Sequence, residues 1–122
     1  MHADHRLHTQ HHSDHSVVTL SGEFDLASRP LLREELRQAV DTCPGDLLLV
    51  DLAAVGFLDC CALGVLVGAH NDATRQGVRL VLVAAPRPVK KLLSITHVDL
   101  LITSRLSLEA ALSVPESAAR RA

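Results

Sequence analysis

Tryptophan and tyrosine are absent, and Phe24 and Phe57 are the only phenylalanines. Single-stranded nucleic acid is gripped by stacking bases on aromatic rings, so this composition excludes such a platform. Positive charge is not in excess either. Twelve Lys and Arg stand against fourteen Asp and Glu, a formal net charge of −2. No basic block is available to neutralise phosphates, so no direct nucleic-acid partner is expected. Cysteine is scarce and irregular, with Cys43 alone and Cys60 and Cys61 adjacent. An odd count without Cys-x-x-Cys spacing fits neither a zinc site nor a disulfide framework, and points to free thiols in a reducing compartment. Long apolar runs are missing too. The longest stretch without a charged or strongly polar residue, Cys60–Ala69, is too short to span a membrane. No basic start followed by an apolar stretch marks a secretory signal, so a cytoplasmic location is expected.

The chemistry-bearing motifs of common enzymes are also lacking. The six glycines are scattered, and no phosphate-cradling loop, Gly-x-Ser-x-Gly elbow or His-Glu-x-x-His pair occurs. No cofactor is implied. A thiol hydrolase built from Asp59, Cys61 and either His70 or His97 meets a geometric obstacle. On one helix His70 lies about 13 Å along the axis from Cys61, and no motif supports His97. The chain is therefore expected to bind another protein, not to catalyse a reaction.

What remains is ample for one domain. Hydrophobic residues are 48% of 122, enough for a single core of Leu, Val, Ile and Ala. Six of the eight histidines fall between His2 and His15. Imidazole is a common metal ligand, but Arg6–His12 reads equally well as an exposed strand ending in a polar turn at Ser13-Asp14. No metal site is assigned there. Val17–Leu20 then forms the second strand of a hairpin, ending at Ser21-Gly22. Ser28 is placed to cap a helix whose first turn tolerates Pro30. In it Leu32, Leu36, Ala39 and Val40 recur at core spacing, and Arg33, Glu34, Arg37 and Gln38 are left to solvent.

Leu47–Leu52 is nearly all apolar, as suits a central strand covered on both faces. After a short connection Asp59 sits where a helix begins, and Cys61–Arg75 reads as that helix, with Leu63, Leu66, Val67 and His70 inward. Close packing is expected at Gly64-x-x-x-Gly68. Val78–Ala84 is the next buried strand, and a short helix covers Val89–Leu93. Leu100–Thr103 is expected as the last strand, and Ser107 caps a final helix to Leu112. Alternating strands and helices after a hairpin predict an α/β fold, a mixed β-sheet with about four helices packed on it. The domain is expected over residues 6–112, with disordered termini at 1–5 and 115–122.

Three segments, in order and spacing, carry a resemblance. They are Gly22-Glu23-Phe24-Asp25, Asp51-Leu52-Ala53, and Phe57-Leu58-Asp59-Cys60-Cys61-Ala62-Leu63-Gly64. They are similar to the STAS domain pattern, which runs roughly Gly-x-x-Asp, then Asp-Leu-Ser, then Phe-(Ile/Leu/Met)-Asp-Ser-Ser-Gly-Leu-Gly. Within that family the chain resembles the single-domain anti-sigma factor antagonists of bacteria. The resemblance implies partner switching. The antagonist binds an anti-sigma factor with an ATP-binding serine-kinase fold and frees a sigma factor, and the kinase breaks the complex by phosphorylating the second serine. A phosphate is tolerated at a helix N-terminus, whereas its charge of roughly −1.5 to −2 disrupts an acidic or buried interface.

This chain departs at the switch. The acceptor position is Cys61, its neighbour is Cys60, and alanine stands for glycine at Ala62. The resemblance therefore implies a binder that is not phosphorylated at the usual site, with partner-binding residues Asp25, Asp59, Cys60, Cys61, Ala62, Leu63 and Gly64. Asp59 reads equally as a helix cap, and Asp25 as a loop acid. Two alternatives stay open: a STAS scaffold or adaptor in another signalling complex, and a redox-responsive regulator. A thiol at a helix head tends toward a lowered pKa, although Asp59 beside it disfavours the thiolate. Monomer and weak dimer both remain open.

Overall fold

The structure is a computed structural model and describes residues 5–113. Five strands form one sheet in the order β1-β2-β3-β4-β5. Strand β1 (His5–His11) pairs antiparallel with β2 (Ser16–Phe24). Parallel pairing then carries β2 to β3 (Leu47–Leu58), β3 to β4 (Arg79–Val83) and β4 to β5 (Thr103–Arg105). Parallel neighbours need crossovers, and helices α1 (Arg29–Asp41), α2 (Cys60–Arg75) and α3 (Arg87–Ile95) supply them. A short α4 (Leu108–Ser113) closes the described chain.

Alternation along the strands splits the core in two. Val18, Leu20, Leu48, Val50, Leu80 and Leu82 face the layer of α1, α2 and α3. Val17, Leu49, Val81 and Val83 face the other way, where Ala111 and Leu108 of α4 cover them. Leu32, Leu36, Ala39 and Val40 of α1 are buried, and Arg33, Glu34, Arg37 and Gln38 are exposed, as their spacing predicts. The mixed sheet with four α-helices is the expected α/β architecture.

Several boundaries differ, each for a physical reason. Strand β2 does not stop at Ser21-Gly22. Gly22 adopts φ +96°, and the pairing with β3 shifts register on either side of it. A glycine in the left-handed region there makes a bulge in a continuing strand. Strand β3 likewise runs past Leu52 to Leu58, with Val55 and Leu58 buried. The expected connection before Asp59 is therefore strand. The last strand is displaced to Thr103–Arg105, because Val98–Leu100 forms a 3-10 turn entered through His97 at φ +64°. The spacing Gly64-x-x-x-Gly68 does not serve close packing: a Cβ at either glycine would meet no atom within 4 Å. At the termini, His5 belongs to β1, and the rest of the expectation for residues 1–5 and 115–122 lies outside the described residues.

Candidate functional site

The register of the two central parallel strands builds the site. Phe24 of β2 pairs with Leu58 of β3, so both strands end together. The Asp59 N–H donates to the Phe24 carbonyl at 3.1 Å, which fastens the two exits to each other. Asp25 and Asp59, the next residues on each strand, are thereby brought side by side at the carboxyl edge of the sheet. Open α/β sheets bind their ligands at this edge.

Each aspartate caps the turn or helix that follows it. Asp59 Oδ1 accepts from the Ala62 N–H at 2.9 Å, satisfying a donor that α2 itself cannot. Asp25 Oδ1 accepts from the Ala27 and Ser28 N–H groups at 3.0 and 3.3 Å, over the 3-10 turn Leu26–Ser28 that leads into α1. Ser28 stands at the N-cap position of α1, but its side chain does not cap that helix. Its buried hydroxyl turns back, accepting from the Asp25 N–H and donating to the Asp25 carbonyl, both at 2.9 Å. Asp25, assigned by sequence as either a partner contact or a loop acid, is the anchor of this turn.

The first turn of α2 sorts the remaining residues. Cys60 and Cys61 are exposed free thiols at its first two positions. Gly64 is exposed one turn below. Ala62 and Leu63 are 0% and 4% exposed and belong to the core. Their side chains therefore pack inward. Of the residues the sequence singled out here, Asp25, Cys60, Cys61 and Gly64 are exposed and Asp59 is half-buried. Helix α2 is continuous from Cys60 to Arg75. His70 thus lies about 13 Å along the axis from Cys61 and half a turn round, where it is no base for that thiol.

Two recesses flank the α2 head. On one side a groove of about 330 Å³ runs between α1 and α2. On the other a cavity of about 250 Å³ lies between the end of β3 and α3, with Phe57, Pro88, Leu92 and Ile95 in its wall. Phe57 and Ile95 are 49% and 65% exposed. Sequence reasoning missed both recesses. The available signal was an aromatic on an apolar strand whose alternation points outward, and arginines spaced by four on α1 at positions 29, 33 and 37.

At the hairpin, His12 and His15 stack with ring centroids 4.5 Å apart. His15 meets the Asp14 carboxylate at 2.8 Å, and this hydrogen bond holds the Asp14 carboxyl below its ordinary pKa. Among the described residues no three His, Cys, Asp or Glu side chains gather into a metal-holding group. No helix there is long and apolar enough to cross a membrane.

The sequence matches the STAS domain family over residues 6–111. It is 31% identical over 84 residues to the anti-sigma-B factor antagonist of Listeria monocytogenes, spanning 69% of this chain and 73% of that protein. It is 34% identical over 79 residues to the anti-sigma-B factor antagonist of Bacillus subtilis, spanning 65% and 71%. The crystal structure of an anti-sigma factor antagonist from Mycobacterium paratuberculosis is similar to it at a TM-score of 0.80 and 27% identity, covering 90% of this chain and 92% of that one. With the sheet order, the paired strand exits and the capped α2 head already in place, the chain belongs to the STAS domain family.

Proposed function

We propose that this chain is an anti-sigma factor antagonist: it binds an anti-sigma factor of serine-kinase fold at the α2 head, frees a sigma factor, and is not phosphorylated at the usual site. The observation that supports it is the α2 head itself, where two parallel strands deliver Asp25 and Asp59 beside an exposed first turn. Small exposed residues at Cys60, Cys61 and Gly64 let another protein's backbone approach. Relatives named as antagonists of anti-sigma factors span most of this chain's length.

The lack of phosphorylation follows from chemistry. A serine kinase moves a phosphoryl group from ATP to a hydroxyl, and positions 60 and 61 carry thiols. Ser28 is the hydroxyl at the neighbouring strand exit. It is 1% exposed, and both of its hydrogen bonds go to Asp25. A permanently competent binder results.

The test uses the full chain with the purified kinase-fold anti-sigma factor of the source cell, ATP and magnesium. Calorimetry is expected to show a complex, and mass spectrometry an unmodified antagonist. The Cys61→Ser variant is expected to gain phosphate slowly, since Ala62 replaces the glycine of the family pattern. No binding to any kinase-fold anti-sigma factor, with recovery only of other STAS proteins, would move the chain to a scaffold role. Stoichiometric phosphate on the native chain would show that the acceptor lies elsewhere. An oxidant-reversible loss of binding, abolished in Cys61→Ala, would make the thiol pair the regulator.

A further inference from the structure

Ser28 directs its hydroxyl and its N–H at one residue. The hydroxyl accepts from the Asp25 N–H and donates to the Asp25 carbonyl, both at 2.9 Å. The Ser28 N–H donates to the same carbonyl at 3.2 Å and to Asp25 Oδ1 at 3.3 Å. A serine at a helix N-cap ordinarily turns its hydroxyl forward, to an N–H of the first helical turn. Helix α1 does not claim it. Pro30 is the second residue of α1 and has no N–H, so one of the donors such a cap would serve is missing. The hydroxyl is left to reach back. At 1% exposure Ser28 is closed off from solvent and from any partner, and a buried hydroxyl is costly to leave unpaired.

The contact falls on the peptide that joins the two strand exits. The Phe24 carbonyl accepts from the Asp59 N–H at 3.1 Å. The N–H of that same peptide unit belongs to Asp25 and goes to the Ser28 hydroxyl. The unit is thus held at one end from β3 and at the other from the entry of α1. Peptide units are planar and stiff, so holding both ends sets the plane from which Asp25 projects. Asp25 Oδ1 is occupied by the Ala27 and Ser28 N–H groups. Oδ2 makes no hydrogen bond or ion pair among the described residues, and Asp25 is exposed. One carboxylate oxygen is anchored to the turn, and the other is available to an outside donor.

We infer that Ser28 is a positioning residue of the partner surface: it holds Asp25 so that the open carboxylate oxygen is presented beside Asp59, and it does so without touching the partner. This rests on the reading that the anti-sigma factor meets the α2 head. A side chain held in its bound geometry before the encounter need not be ordered during it. Loss of the Ser28 hydroxyl therefore weakens binding through Asp25.

A double-mutant cycle on the full chain, read by calorimetry with the purified anti-sigma factor, tests it. Ser28→Ala fits the same space and is expected to weaken binding at least about fivefold, with a cooperative melt retained. In the Asp25→Ala background the same change is expected to alter affinity less than about twofold, because the group it acts through is gone. An equal loss in both backgrounds would mark Ser28 as merely structural and overturn the inference, as would native affinity in either single variant. A measurement on the free chain separates this from failure of the antagonist reading. Three-bond NMR couplings to the Asp25 carboxyl carbon are expected to report one χ1 rotamer in the native chain and averaged rotamers in Ser28→Ala, with those of Asp59 unchanged. Unchanged couplings at Asp25 would overturn the inference whether or not an anti-sigma factor binds. Averaged couplings in a chain whose native form binds no anti-sigma factor would sustain the positioning of Asp25 and refute the antagonist reading.

Discussion

Replacing Asp59 separates the two roles that meet at the α2 head. Its carboxylate accepts from the Ala62 N–H at 2.9 Å in a half-buried position. Truncating an N-cap aspartate to alanine costs about 1 kcal/mol, and losing a negative charge beside the helix N-terminus adds about 0.3–1 kcal/mol. Asp59→Ala should therefore lose about 1.5–2 kcal/mol. Unfolding entropy is about 2.1 cal/mol/K per residue, so for a domain of this size each kcal/mol moves the melting temperature by about 4 °C. The expected drop is about 7 °C by circular dichroism at 222 nm. Asp59→Asn keeps an acceptor for Ala62 and loses only the charge, and should fall by about 2 °C. Binding to the anti-sigma factor then discriminates. Native affinity in Asp59→Asn assigns the carboxylate to the cap alone, and a tenfold loss places it against the partner. If Asp59→Ala melted within 1 °C of the native chain, the claim that this cap holds the α2 head would be refuted.

Ala62→Arg should unfold the protein, because a fully buried position would take a long charged side chain at a cost above about 4 kcal/mol. The exposed Cys61→Arg should melt normally and fail to bind, and the reverse pattern in a paired melting and pull-down experiment would misplace the surface. Acid should weaken one surface pair: the hydrogen bond from Arg37, aided by Gln38, holds the Glu34 carboxyl below its ordinary value of 4.5. A carboxyl depressed in the folded state contributes stability above pH 4.5 and loses it as pH falls through the folded value. The urea-midpoint gap between the native chain and Arg37→Gln should thus close between pH 5 and 3, and a constant gap would count against the pairing.

Much of the fold was legible because periodicity encodes burial directly. Leu32, Leu36, Ala39 and Val40 lie on one helical stripe, and all four are buried. Leu47–Leu52 is apolar on both faces, and the sheet is covered on both faces there. The misjudged ends have a common cause. Ser21-Gly22 and Gly56-Phe57 look like turns by composition, yet both lie in extended strands because β2 and β3 pair with each other beyond the expected core. Pairing between strands is a long-range property, and local composition does not report it. At the other end, Leu100 and Leu101 have strand character, but the left-handed His97 leads into a 3-10 turn that takes in Leu100 and ends at Leu101.

The capped start of α2 was legible in the sequence, the division of its first residues between core and surface was not, and helix geometry explains both. An Asp-x-x-Ala cap followed by apolar residues marks the helix start, but which of the four residues 60–63 face the core depends on how α2 lies on the sheet. Successive helical residues are about 100° apart. Cys60 and Cys61 therefore point outward while Ala62 and Leu63 turn under. That division accounts for the pattern of departures from the family motif. The two outward positions carry thiols without disturbing the cap, the strand exits or the core, because both side chains are exposed. The inward position must stay small, and alanine satisfies it while favouring the helix by about 1 kcal/mol over glycine. Thiols at positions 60 and 61 and a more rigid helix head thus coexist with an intact fold. A capped corner that stays intact with thiols at positions 60 and 61 is what the proposed reading as an unswitched antagonist rests on.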